Sequence, residues 1–135
     1  MKIKILLMFL LAQLLVLPAQ AEEEAEETPE IRYLEIKPAI VTNFGGPGRM
    51  KYIKAEVSLQ VDSHEEWQAI THHILALRHT LVMLLSRQTD ATIAAGEAKE
   101  QLRQTALAEL QAVMEAEEGE PMIDDLLFSS FFVQR

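Results

Sequence analysis

The chain has 135 residues, 21 of them acidic and 12 basic, with no cysteine. This length allows one domain. A net charge of −9 argues against nucleic acid or anionic lipid as partner, and the missing cysteine excludes disulfides, thiol chemistry and Cys-ligated metals.

Residues 1–21 read as an export element. Lys2 and Lys4 precede an apolar run, Ile5 to Leu17, that only Gln13 interrupts. Pro18-Ala19-Gln20-Ala21 then supplies small residues for cleavage before Glu22. The apolar run is shorter than the roughly 20 residues that span a bilayer. A cleaved signal peptide is expected, with a short membrane anchor as the alternative. Residues 22–31 form an acidic leader. Six glutamates between Glu22 and Glu30 repel one another and have little apolar surface to bury, so the leader is expected to be disordered. The folded domain is expected over 32–135.

Arg32 to Phe44 predicts a first strand, in which Leu34, Ile36 and Ile40 alternate with Glu35, Lys37 and Ala39. Pro38 removes a ladder donor, so this strand is expected to be at an edge or bulged. Asn43 to Gly48 reads as a turn. Its glycine spacing fits neither a Walker loop nor a dinucleotide fingerprint, and no helix follows. From Met50 to Val61 the alternation is strict: Ile53, Ala55, Val57, Leu59 and Val61 share one face, with polar residues on the other. The two strands make an antiparallel hairpin with one face on a core.

A helix follows from Ser63, which has capping-box spacing to Glu66. Trp67, Ile70, Ile74, Leu77, Leu81, Leu84 and Leu85 form a core stripe at helical spacing, and the helix is expected to end near Ser86 or Arg87. Leu75, Val82 and Met83 lie off that stripe, which predicts deep burial or cover by another subunit. Gln88 to Gly96 is a connection in which Thr89-Asp90 caps a short turn containing Ile93. A second long helix runs from Glu97 to Glu115 with Leu102, Ala106, Leu110 and Val113 buried. Glu115 to Pro121 is a loop. Met122 to Gln134 predicts a closing strand: Leu126, Phe128 and Phe132 on one parity, Leu127, Phe131 and Val133 on the other. Apolar residues on both faces suit a central strand, or one whose second face meets a partner. The order is β-β-α-α-β, an α+β domain with a small antiparallel sheet against two long helices.

The residues offer little chemistry. His64, His72, His73 and His79 lie on or beside the first helix without HExxH spacing, and His73 is expected to be partly buried. His72 and His79 are about 10 Å apart along the axis, too far to share an ion. Asp124 and Asp125 are strand neighbours that point apart, which prevents a joint acid–base pair. No serine sits in a Gly-flanked elbow. No catalytic residue, metal site or cofactor is therefore expected. A metal-binding module using the histidines and acids, or an unrelated interaction module, is the competing reading.

Three segments carry a resemblance. The first runs from Tyr33-Leu34 through Pro38 to Ile40-Val41-Thr42-Asn43 and then Gly48-Arg49-Met50-Lys51-Tyr52 to Leu59. The second joins Leu84-Leu85-Ser86-Arg87-Gln88-Thr89 to Gly96-Glu97-Ala98-Lys99-Glu100-Gln101-Leu102-Arg103. The third is Phe128 to Gln134. In this order and spacing they resemble the flagellar basal-body-associated FliL family. Two features depart from it: a signal-like segment in place of a cytoplasmic tail and transmembrane helix, and His79 after Arg78 where an acidic residue is expected. The resemblance implies a stomatin/prohibitin-like domain in the periplasm at the inner membrane. It also implies association with the flagellar stator and basal body, self-association as a ring, and support of swimming and chemotaxis. The residues expected at such contacts are Arg49, Arg78, Arg87, Glu97 and Arg103 for charge complementarity, and Val82, Met83, Phe131 and Phe132 for apolar contact.

Overall fold

The computed structural model describes residues 30–135, in the order β1 (Arg32–Phe44), β2 (Lys51–Val61), α1 (His64–His72), α2 (Ile74–Ser86), α3 (Glu97–Glu118) and β3 (Asp125–Gln134). The export segment and nearly all of the acidic leader lie outside the described residues. The three strands form one antiparallel sheet in the order β1-β2-β3. The helices cover one face, α2 against β1 and α3 against β3. The α+β class and the β1–β2 hairpin agree with the sequence reading.

The strict alternation of β2 explains its central place. Ile53, Ala55, Leu59 and Val61 have no exposed surface, and Val57 almost none. They face Ile70, Leu77, Leu81, Leu85 and Leu110, which are also fully buried. At Gly45 and Gly46 the backbone takes φ of 87° and 74°, left-handed values that favour glycine in the turn between the strands. β1 is both an edge strand and bulged, as Pro38 requires. Ile36 pairs with Val57 and Ile40 with Ala55, so residues 37–39 face Glu56 alone.

Several expectations need correction. The first helix is two segments that meet at His73, where φ and ψ are −96° and 13°. The hydrogen-bond ladder continues through the joint, from His73 N to Ala69 O and from Leu77 N to His73 O. The His73 ring is tied to Glu118 at 2.6 Å, which fixes the joint against the end of α3. Trp67 is not core: it is 36% exposed and stacks on His64, because the buried stripe begins one turn later at Ile70. In α3, Met114 is fully buried and Val113 only partly, since the buried positions keep a spacing of four from Leu102. This helix also runs to Glu118, where Gly119 in the left-handed region closes it.

The largest correction concerns β3. It is an edge strand, not a central one. Between Glu56 and Val57 its register shifts: Ser130 pairs with Glu56 and Phe128 with Val57, leaving Ser129 extra. The bulge reverses the parity after it. Leu126 and Phe128 before the bulge, and Phe131 and Val133 after it, all turn to the helices, while Leu127 and Phe132 face the open side. The apolar residues of β3 are thus mostly one face read through a phase shift.

Candidate interaction surface

Arg78, Arg87 and Arg103 each fasten two elements. Arg78 in α2 donates to the Pro38 carbonyl in the bulge of β1. Arg87, just after α2, pairs with Glu109 of α3. Arg103 in α3 binds Glu100 at 2.6 Å, pairs with Asp125, and donates to the Leu126 carbonyl at 3.0 Å. Its hydrogen bonds hold the Glu100 carboxyl down at about 2, well below the usual carboxylate range.

A second fastening closes the turn end. Asp90 accepts from Lys51 and from Arg135, the latter at 3.0 Å, and these two cations lower its pKa. The hairpin turn also bonds the connection between α2 and α3, from Gly45 N to Gln88 O at 3.2 Å. In that connection Thr89 and Thr92 close the turn on each other, with Thr89 N donating to Thr92 Oγ1 at 2.8 Å, and Ile93 is buried. Asp90 was expected to cap this turn and instead faces the two cations.

At the other end three carboxylates meet. Asp62, Glu66 and Asp124 each present an oxygen within 4.8 Å of the others. Burial of the Asp124 carboxyl, a hydrogen bond with Asp62 and repulsion from Asp62 and Glu66 push its pKa up to about 6. The residue as a whole is exposed, so this end is open to solvent. Among the described residues this is the group that could hold a cation. The histidines do not join it as a set. His73 is occupied by Glu118, and His64 lies between Arg32 at 3.3 Å and Gln68 at 2.9 Å. Asp125 turns away from Asp124 to Arg103, as neighbours on a strand should.

The face of the sheet opposite the helices carries Tyr33, Val41, Tyr52, Leu127 and Phe132, all substantially exposed. A depression of about 260 Å³ lies there beside the β1 bulge, lined by Glu35, Lys37, Glu56, Ser58 and Ser129 among others. Ser58 and Ser129 hydrogen-bond each other at 2.9 Å across its floor. On the helix side, Leu75 and Met83 leave the outer surface of α2 apolar, at 78% and 50% exposure.

A family model described as flagellar basal body-associated protein FliL matches residues 33–134. The chain belongs to the FliL family. It is therefore a flagellar basal-body-associated protein. A search of curated proteins returns no match. The match covers β1 through β3, so every residue expected at contacts falls within the FliL region.

Within this FliL domain the nine residues do not form one patch. Arg49 is exposed in the hairpin turn and Glu97 in the first turn of α3. Met83 faces outward from α2, whereas Val82 packs partly against the core. Phe132 is 60% exposed on the open face. Phe131 turns inward, edge-on to Phe128 at 5.1 Å, with Lys99 over its ring at 5.3 Å. Reading β3 with a fixed period hid Leu127 as the outward companion of Phe132. The pair Ser129-Ser130, small and polar inside an aromatic run, was the available signal for a bulge. The Asp62–Glu66–Asp124 group has no sequence signature, because its members come from two distant segments.

Proposed function

We propose that this FliL-family chain is a non-catalytic interaction module of the flagellar motor. It acts on the periplasmic side of the inner membrane, contacts the stator, and supports swimming under load and chemotaxis. The observation that carries the reading is the family match across the whole folded domain, residues 33–134. Arg49, Met83, Glu97 and Phe132 reach solvent and offer direct contacts. Arg78, Val82, Arg87, Arg103 and Phe131 hold the elements that present them. Charged groups at such a surface set register and specificity more than affinity. The stomatin/prohibitin-like reading of the fold, and self-association as a ring, belong to the same proposal.

Residues 1–21 deliver the chain across the membrane as a cleaved signal, or hold it there as an anchor. No helix among the described residues is long and apolar enough to cross a membrane. N-terminal sequencing of the exported protein decides between the two: a first residue of Glu22 means cleavage. Co-purification from motile cells is expected to recover stator proteins with the chain. Normal motility of a deletion strain in both liquid and viscous media would overturn the assignment.

A further inference from the structure

The C-terminal end of α3 is one that its own charges disfavour. Glu115, Glu117 and Glu118 lie in the last turn, Glu120 follows Gly119, and that turn holds no basic residue. The carbonyl end of a helix carries a partial negative charge, so acids there repel it and cations stabilise it. Among the described residues no lysine or arginine pairs with these four glutamates. The group that reaches them and can carry positive charge is the imidazole of His73, whose Nε2 lies 2.6 Å from Glu118 Oε1.

His73 is also the joint between α1 and α2. Its N–H closes α1, and it stands at the N-cap of α2, where its side chain makes no capping hydrogen bond. That side chain reaches across to α3 instead and is only 16% exposed. Beyond the joint α1 is lightly held. Of its nine residues only Ile70 is buried, and Ala69 packs partly against the core. Glu66, in its first turn, faces two other acids. Among the described residues, the titratable groups in contact with His73 are Glu118 from α3 and the ring of His72, edge-on at 4.9 Å.

We infer that His73 is a proton-operated latch: charged, it fastens the α1–α2 joint to the acidic end of α3, and neutral, it leaves α1 and that end free to loosen together. The charged ring adds an ion pair with Glu118, and a cation at the helix end, to the hydrogen bond through Nε2. The neutral ring keeps the hydrogen bond alone. Histidine is the side chain whose ordinary charge change falls between about pH 5 and 8. Acidification across that range therefore tightens both segments, and a rise in pH loosens both. His72 works against the latch when it is charged too, but it is exposed, so solvent screens that repulsion more than the contact with Glu118. The core stripe from Leu77 to Leu85 lies beyond the joint, so the domain stays folded in either state. The latch belongs to the folded domain alone and rests on no partner.

Hydrogen exchange on the full chain, read by mass spectrometry at about pH 5.5 and about pH 8, tests this. Rates are corrected for the intrinsic pH dependence of amide exchange and for β2, whose exchange reports the whole fold. Amides of α1 and of the last turn of α3 are each expected to be roughly threefold better protected at the lower pH, the size of a partly exposed ion pair. His73→Gln keeps a hydrogen bond but cannot take a charge, and it is expected to abolish the pH dependence in both segments. Glu118→Gln is expected to do the same from the other partner, and it decides the matter if the His73 variant fails to fold. His73→Lys carries a fixed charge and is expected to keep both segments protected at both pH values. Asp124→Asn removes a carboxyl at the other end of the domain that titrates near 6, and is expected to leave the effect in place. Protection independent of pH in the native chain overturns the latch. So does a pH dependence that survives His73→Gln, a response in one segment without the other, or loss of the effect in Asp124→Asn.

Discussion

The two ends of the domain are closed in opposite ways. They lie about 34 Å apart along the eleven residues of β2. At the turn end, one acid, Asp90, sits between Lys51 and Arg135 and joins the hairpin, the α2–α3 connection and the end of β3. At the far end three acids, Asp62, Glu66 and Asp124, crowd together where β2 leads into α1 and α3 into β3. One end is held by electrostatics. The other is held against it, by the helix cap and by the core beneath. The difference teaches that this cluster of three acids is placed where apolar burial beneath it can carry the load.

The largest expected effects test that shared core. Phe44→Ala at the turn end and Ile70→Ala at the acidic end should each cost about 3 kcal/mol in chemical denaturation, since both side chains are buried. If only one end responds, the two do not rest on a common core. Next comes the cap. Ser63 accepts from Glu66 N at 3.1 Å, so Ser63→Ala should cost about 1 kcal/mol.

The charge substitutions should be smaller and opposite in sign. Asp90→Asn lowers stability, while Asp124→Asn raises it at neutral pH by about 0.3 kcal/mol, allowing for solvent screening at an exposed residue. Added salt should weaken the turn end and relieve the acidic one. The pH dependence fixes the sign. The Asp124 carboxyl titrates near 6 in the folded chain, above its ordinary 3.8, so the native state binds the extra proton. Its contribution to stability therefore falls as pH rises from about 4 to 6, and the gain from Asp124→Asn vanishes below that window. Asp90, held low, behaves inversely: its contribution is present above the unfolded value and is lost as pH falls through the folded one. Thermal melts of both variants across pH 3 to 8 check this (a range of about 5 units around the carboxylate values). Parallel curves would erase the contrast.

Much of this was legible in the sequence because local pattern dictated it. The alternation of β2, the Ser63–Glu66 cap and the glycines of the turn each act within a few residues. What failed depended on distant partners. Trp67 continues a helical stripe, but it comes to lie beside Tyr33, Glu35 and Lys37 at the edge strand β1 and stays 36% exposed, so it belongs to the rim. β3 looked two-faced because Ser129 shifts its phase, and a bulge is specified by the opposing strand as much as by its own. The arginines read as free charges for a partner, and several of them are spent on elements that the chain brings together only on folding. Asp90 looked like a turn cap and found better partners in Lys51 and Arg135.

The β1–β2 register has a mechanical consequence. Arg32, where β1 begins, lies opposite Val61 at the acidic end, and β1 runs its full length to the turn end. Tension applied between Arg32 and the far end of β3 is directed along the strands, perpendicular to the hydrogen bonds that join them. The ladder is then loaded in shear, with all its bonds sharing the force, and not unzipped one at a time. Pulling single molecules between those points should need higher force than pulling apart Arg32 and Val61, which would peel β1 from its end. A domain with this geometry resists tugging along its strands far better than its modest core would suggest.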